Sequence, residues 1–308
     1  MSGDLAFLVL AHDDPAMLKR LCHRFAPSSV YVHLDAKAAD LDASTLADMD
    51  HVTVLDRRHA IDWAGFAMVE ATLDLLRAAQ ADGLARHTLL LSGHCYPIRP
   101  LAALRQKLSA LNGEDIIQMV RVDRGSILTG LVGRHWRQAP YLPAGLRAGW
   151  PILARIDDTA RRVRNRVARS VGRDFHRESG GLPLYHGASW WCLSRATVEE
   201  VLAANDRDRR LHDALRTAFA PDELFFQTLI AAGPRAGRQH GPTTDYGGEN
   251  IYEAPLVLVA RDEGRWLRDG ERTRDMIATS DRYFARKIAS SEAGLLDWID
   301  RTQLGLAA

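Results

Sequence analysis

Glu223 lies in the stretch Ala220-Pro221-Asp222-Glu223-Leu224-Phe225-Phe226 and is the side chain best placed by its context to take up a proton. Proline suits the first position of a helix, where its missing N–H would have no intrahelical partner. The apolar residues that follow predict a buried helix, with Asp222 and Glu223 in its first turn, where the helix dipole favours negative charge. A carboxylate kept ionised at neutral pH is what a general base requires. Acidic residues are also ordinary at helix starts, so these letters alone leave both readings open.

A second set of polar residues follows apolar runs. His12 comes directly after Leu5–Ala11, Asp35 and Lys37 follow 30–34, and Ser92 closes His87–Ser92 before Gly93-His94-Cys95-Tyr96-Pro97. These runs, with another at 52–55, predict strands. Periodic apolar positions at Met17, Leu18, Leu21 and Cys22, and from 61 to 79, predict the intervening helices. Strands alternating with helices at this spacing indicate βαβ units and a mainly parallel sheet, in which ligands bind beyond the carboxyl ends of the strands. His12, Asp35 and the segment 92–96 are therefore candidates for binding, or simply turn the chain. No G-x-G-x-x-G follows the first run and no G-x-x-x-x-G-K-[ST] occurs, so the usual dinucleotide and phosphate-loop cradles are missing.

Beyond residue 113 the alternation weakens. Residues 115–120 and 186–193 read as further strands, 197–204 as a helix, 254–260 as a late strand and 295–299 as a final helix. Arg155, Arg161, Arg162, Arg164, Arg166, Arg169 and Arg173 crowd one amphipathic helix with Ile156, Val163, Val167 and Val171 as its apolar stripe. Such a helix lies on anionic lipid, meets an acidic polymer, or faces water.

The chain has 308 residues, 46% of them hydrophobic, and a net charge of +1, which describes a folded protein rather than a disordered one. With no internal repeat and no low-complexity linker, one domain is the economical expectation. Three cysteines, Cys22, Cys95 and Cys192, show no metal-ligand spacing and read as reduced, buried thiols of a cytosolic protein. The N-terminus has no basic region before its short apolar run, and no segment approaches the length of a membrane span, so a protein neither secreted nor membrane-spanning is expected.

Five stretches, taken in order, resemble the family of core-2/I-branching β-1,6-N-acetylglucosaminyltransferases and peptide O-xylosyltransferases. They are 6–12 with Val32-His33-Leu34-Asp35-Ala36-Lys37; Asp62-Trp63-Ala64-Gly65-Phe66; 90–98 around Ser92-Gly93-His94-Cys95-Tyr96-Pro97; Gly187-Ala188-Ser189-Trp190-Trp191 through Pro221-Asp222-Glu223; and Phe284-Ala285-Arg286-Lys287. The resemblance implies a GT-A-like, Rossmann-type nucleotide-sugar fold with a mainly parallel sheet flanked by helices. It divides the domain into a nucleotide-binding half, 1–112, and an acceptor-binding and catalytic half, 113–308. It implies sugar transfer from a UDP-sugar, with N-acetylglucosamine or xylose as donor sugar, with inversion and without a divalent metal or other cofactor.

By the same resemblance Glu223 is the general base, and Lys287, beside Arg286, neutralises the leaving diphosphate, with Arg265 or Arg268 as its partner. Asp35 and Trp63 surround the uracil, with His12 and Lys37 beside that pocket, and Ser92 also binds the donor. Gln118 stands where the family has an acceptor-binding Glu, and Trp190 could stack on a sugar. Asp206-Arg207-Asp208 and Asp48-Met49-Asp50 match the bare Asp-x-Asp of metal-dependent relatives but read as surface charges. The family's Ser-Gly-x-Asp-x-Pro has Cys95 in place of its carboxylate here. The expected acceptor is a glycan or lipid-linked saccharide, met in the cytoplasm or at the inner face of an anionic membrane through 155–173. The alternative is a non-catalytic module that holds a nucleotide or a polyanion with that helix. Nucleic acid fits poorly, because the arginines lack interleaved aromatics and the overall charge is near zero.

Overall fold

A computed structural model describes residues 3–83, 85–123, 126–168, 171–241, 254–259 and 266–306. Among them the strands are β1 (Leu5–Ala11), β2 (Val30–Leu34), β3 (Val52–Val54), β4 (His87–Ser92), β5 (Tyr96–Pro97), β6 (Asp115–Ile116), β7 (Val120–Arg121), β8 (Tyr185–His186), β9 (Cys192–Ser194), β10 (Gln239–His240), β11 (Val257–Val259) and β12 (Phe284–Arg286). The helices are α1 (Pro15–Phe25), α2 (Ala67–Ala81), α3 (Leu101–Ala110), α4 (Ala144–Gly149), α5 (Pro151–Val167), α6 (Phe175–Glu178), α7 (Arg195–Arg207), α8 (Arg210–Leu215), α9 (Phe225–Ala232), α10 (Glu271–Thr279) and α11 (Ala293–Thr302).

The main sheet has the order β10-β6-β9-β4-β1-β2-β3. β1 pairs in parallel with β2 and β4, β2 with β3, and β6 with β10, while β9 runs antiparallel between β4 and β6. This is the mixed α/β fold with a mainly parallel sheet that the alternating pattern predicts. β1, β2 and β4 are buried along their whole length, as expected of strands covered on both faces. Each large apolar side chain so buried contributes about 1.5–3 kcal/mol relative to exposure. α1 supplies one cover, with Met17, Leu18, Leu21, Cys22 and Phe25 buried and Phe25 stacked on Phe7 at 3.8 Å. α2 adds Val69, Leu73, Leu75 and Leu76. Cys22, Cys95 and Cys192 are buried and unbridged.

The connectivity decides where a ligand can enter. The chain runs from β1 outward to β2 and β3, then returns through α2 to β4 on the opposite side of β1. Loops leaving β1 and β4 therefore diverge, and the crevice between them opens at the carboxyl ends of the strands. Two smaller units border it. β12 pairs in parallel with β11 and antiparallel with β5, and a ribbon joins β7 to β8.

Several boundaries differ from expectation. The helix expected from 61 begins at Ala67, because residues 62–65 form a tight turn in which Ala64 takes a left-handed conformation (φ 58°). The strand expected over 115–120 is split into β6 and β7. Around it, the glycine backbones of Gly187 and Gly241 close in so tightly that a Cβ would stand 1.8 Å from the Gln118 carbonyl oxygen and 2.2 Å from that of Ile117. The run 186–193 is likewise split, into β8 and β9. Asp48 pairs with Lys19 and Asp206 with Arg77, and both carboxylates are exposed surface charges.

Candidate active site

Glu223 does not sit in the first turn of an α-helix, as its neighbours predict. Pro221–Glu223 is a single 3₁₀ turn, Leu224 (φ −125°) breaks the path, and α9 begins at Phe225. The turn is held from both sides. Ala220, itself left-handed at φ 48°, donates its N–H to the carbonyl of Ala64 at 3.1 Å, so two alanines in a region that favours glycine tie the Trp63 turn to the Glu223 turn. Behind it, Phe225 and Phe226 are fully buried and lock the chain into the core.

The carboxylate of Glu223, about one-quarter exposed, faces the imidazole of His186, with Oε2 3.1 Å from Nε2. The next residues of that strand end follow the acidic turn closely. Gly187 donates its N–H to the Glu223 carbonyl at 2.9 Å, and Ser189 donates its hydroxyl to Asp222 Oδ2 at 2.6 Å. Burial first, and then the charge of Glu223 beside it, push the Asp222 carboxyl up to about 6 from 3.8. A carboxyl whose folded-state value is raised contributes its stability below the unfolded value, and loses it as pH rises through the folded value. Asp222→Asn keeps an oxygen for Ser189 and removes the charge. Above pH 6 the variant should therefore be more stable than wild type, by up to about 3 kcal/mol. The gap should close below pH 4, and paired thermal melts across that range check it.

The short segment 186–190 also reaches the other end of the site. Trp190 is 9% exposed, and the Arg286 guanidinium lies over its ring, 4.3 Å from the centroid. Trp190 thereby supports Arg286 from one face of its ring. Lys287 follows at the end of β12, its ammonium 5.7 Å from the centre of the Trp266 ring. The edge of Trp266 meets His94, ring centres 4.8 Å apart.

His94 brings the β1 and β4 loops together. Its Nδ1 meets the Ile288 carbonyl at 3.1 Å and its Nε2 meets Asp13 Oδ1 at 2.5 Å. The neighbouring Asp14 accepts from Met17 N at 3.1 Å, capping α1, and from Ser290 N at 2.8 Å. Both loops are thereby fastened to the segment that follows Lys287. His12 packs edge-on to His94 at 5.5 Å. Its pKa is lowered, by burial first, with the positive neighbours His94 and Lys287 acting the same way and Asp13 and Asp35 opposing. His12, Asp35, His94 and Lys287 thus share one electrostatic neighbourhood at the crevice. Ser92 is buried there, its hydroxyl 3.5 Å from Cys95 Sγ.

Asp35, also buried, accepts from Lys37 N at 2.8 Å and from Ile61 N at 3.4 Å. Lys37 Nζ caps the Ile61 carbonyl at 2.5 Å and pairs with Asp62 at 3.1 Å. These contacts hold the turn carrying Trp63, which is 80% exposed and touches only the edge of Phe219, at 5.3 Å, among the ring contacts of the described residues.

Gln118 is 1% exposed and its Oε1 accepts from Ala188 N at 3.0 Å, so it braces the 186–190 segment from behind. Arg268 points to Glu292, 2.9 Å away, on an exposed surface; Arg265 lies outside the described residues. Missed from the sequence were His186 beside Glu223, and Asp13 and Trp266 at the crevice. Ser189 and Asp222 lay in quoted stretches without an assigned role, and His94 lay in the candidate segment 92–96.

Among the described residues, His12, Asp13 and His94 are the one group of metal-ligand types near enough to share an ion, with ligand atoms within 4.8 Å. Both His94 nitrogens are already engaged. The arrangement can do two things chemically. A partly exposed carboxylate with an imidazole partner can take a proton, and the Lys287 ammonium at the end of β12, electrostatically coupled to His12 at the end of β1, can meet negative charge.

Two solved structures overlap the chain loosely. One is described as a glucose-1-phosphate thymidylyltransferase from Bacillus anthracis, in complex with a sucrose, at 7% identity and TM-score 0.37, covering 78% of this chain and 87% of that one. The other is a mannose-1-phosphate geranyltransferase from Thermus thermophilus, at 11% identity and TM-score 0.32, covering 73% and 72%. Likeness this low carries no argument about activity. No curated protein matches the chain. Residues 5–137 match the family model of the Core-2/I-Branching enzyme, a stretch that includes β1–β7 and the crevice between β1 and β4 but ends before Glu223 and Lys287. Over those residues, somewhat under half of its length, the chain is similar to the Core-2/I-Branching family of glycosyltransferases.

Proposed function

We propose that this enzyme transfers a sugar, N-acetylglucosamine or xylose, from a UDP-sugar to a glycan or lipid-linked saccharide hydroxyl, with inversion and without a divalent metal. The observation that supports it is the segment 186–190, which touches the Glu223 turn at one end and Arg286, next to Lys287, at the other. Glu223 accepts the proton of the acceptor hydroxyl. The hydroxyl oxygen attacks the anomeric carbon from the face opposite UDP, and the bond to the phosphate oxygen breaks with its electron pair leaving on UDP. One carboxylate suffices, because no covalent intermediate forms and the phosphate needs no strong acid. Lys287 meets the charge that develops on the diphosphate, with the His12 and His94 rings beside it as hydrogen-bonding groups. Asp35 and the Lys37–Trp63 turn border the uridine.

A UDP-sugar donor and three buried thiols suit the cytoplasm, and a lipid-linked acceptor would be met at the inner membrane face. The reading is tested by calorimetry with UDP in EDTA, followed by turnover of UDP-sugars with and without Mn²⁺. Binding and hydrolysis or transfer in EDTA are expected. Activity that vanishes in EDTA and returns with Mn²⁺ would overturn the metal-free mechanism and give the ion to His12, Asp13 and His94. Failure of UDP to bind in either condition would leave a module without donor chemistry.

A further inference from the structure

α5 is amphipathic, but it is turned inside out. Asp157 is buried, bonded to Arg147 and accepting from Tyr141 N at 2.9 Å, and Asp158 pairs with Arg147 at 3.0 Å and with Arg161 at 3.1 Å. Arg161 bonds the Gln138 carbonyl, and Asn165 exchanges bonds with Arg137, accepting from its N at 2.9 Å and donating to its O at 3.0 Å. The polar side of the helix is therefore the side that holds the protein. The apolar side faces out: Ile152 is 72% exposed, Ile156 58%, Val163 56% and Val167 59%. Spaced by four, seven and four residues, these four line a single stripe, continued at the helix start by exposed Trp150 and Leu146. Soluble proteins rarely leave so continuous an apolar strip to water.

Its rim identifies what covers it. Arg155, Arg162 and Arg166 are exposed and fall on one edge of the stripe by helical spacing, while the only acids of the helix point inward in the contacts just described. A second copy of this face would bring arginines to arginines with no acid to meet them. An anionic bilayer offers both things the face requires, acyl chains for the stripe and lipid phosphates for the rim. We infer that α5 is an interfacial helix that lies in the surface of an anionic phospholipid membrane. No helix among the described residues is long and apolar enough to cross one, so the contact is peripheral. It is also linked to the site. The 135–138 segment that α5 grips bonds onward, Trp136 N to the Thr217 carbonyl at 2.7 Å and Gln138 to the Ala218 carbonyl at 3.0 Å, just before the Glu223 turn. Docking and glycosyl transfer remain separable, because no stripe residue belongs to the Glu223 or Lys287 neighbourhood.

The test is co-sedimentation of the full chain with vesicles of phosphatidylcholine, alone or mixed with phosphatidylglycerol. The double variant Ile156→Asp/Val163→Asp changes exposed positions only and is checked by circular dichroism and melting. Wild type should pellet with the mixed vesicles, roughly tenfold or more in preference to phosphatidylcholine alone, and the double variant should lose that binding. Arg155→Glu/Arg162→Glu should remove the preference for phosphatidylglycerol. Wild type remaining in the supernatant, or pelleting equally after the Asp substitutions, overturns the inference. So does a dimer in solution that the Asp substitutions dissolve while vesicle binding is absent, since the face would then be a contact between copies.

Discussion

Glu223→Gln is expected to lower kcat by roughly 10²–10⁴-fold while leaving UDP affinity unchanged. The substitution is close to isosteric, and an amide oxygen can still accept from His186 Nε2, 3.1 Å from the carboxylate it replaces. The backbone contacts of the turn, Gly187 N to the residue 223 carbonyl and residue 223 N to the Ala220 carbonyl, do not involve the side chain. What disappears is the ability to take a proton, so the loss should fall on kcat and kcat/KM together, the mark of an interaction made only in the transition state. His186→Ala should behave differently, because it removes the group that orients the carboxylate and leaves the base itself in place. A partial loss there beside a near-complete loss in Glu223→Gln would fit these roles. Turnover in Glu223→Gln within a few-fold of wild type would remove Glu223 from the chemistry.

The crevice was legible in the sequence and the base's surroundings were not, for one physical reason. Buried parallel strands are written as unbroken apolar runs, and the residues just after them fall on one edge of the sheet, so His12, Asp35 and Ser92 could be placed from local pattern alone. His186 and Glu223 are 37 residues apart, and Trp190 and Arg286 meet across a still longer stretch of chain. Nothing periodic joins such partners. His186 and Arg286 sit on strands two or three residues long, too short for alternation to register. Gln118 is a case where motif position says nothing of packing: the close approach of Gly187 and the bond from Ala188 N make it a buried brace. The left-handed alanines at 64 and 220 were equally invisible, since alanine normally signals a regular helix. In α5 the period was legible and the direction was not. Amphipathicity tells that a helix has two faces, and only the partners of Asp157 and Asn165 tell which one meets the protein.

Lys287→Ala should weaken UDP binding by roughly 10–150-fold, corresponding to about 1.5–3 kcal/mol for the loss of one charge-assisted contact to a diphosphate. The Lys287 carbonyl keeps its bond from Leu267 N at 2.8 Å whatever the side chain is, so the β12 end stays in place. The ammonium lies beside the Trp266 ring, where partial removal from water makes its charge count for more than at an open surface. Because a lysine acts as a point charge rather than a fork, Lys287→Arg should retain part of the affinity, and Lys287→Met, which keeps most of the stem, should not. Arg286→Ala is the informative neighbour. Its guanidinium covers Trp190, so its removal should disturb the 186–190 segment and reduce kcat through Glu223 more than it reduces UDP affinity. If UDP bound Lys287→Ala as tightly as wild type, the diphosphate would not lie at β12. The leaving diphosphate would then have to be met from the β1 and β4 side, by hydrogen bonds from His12 and His94.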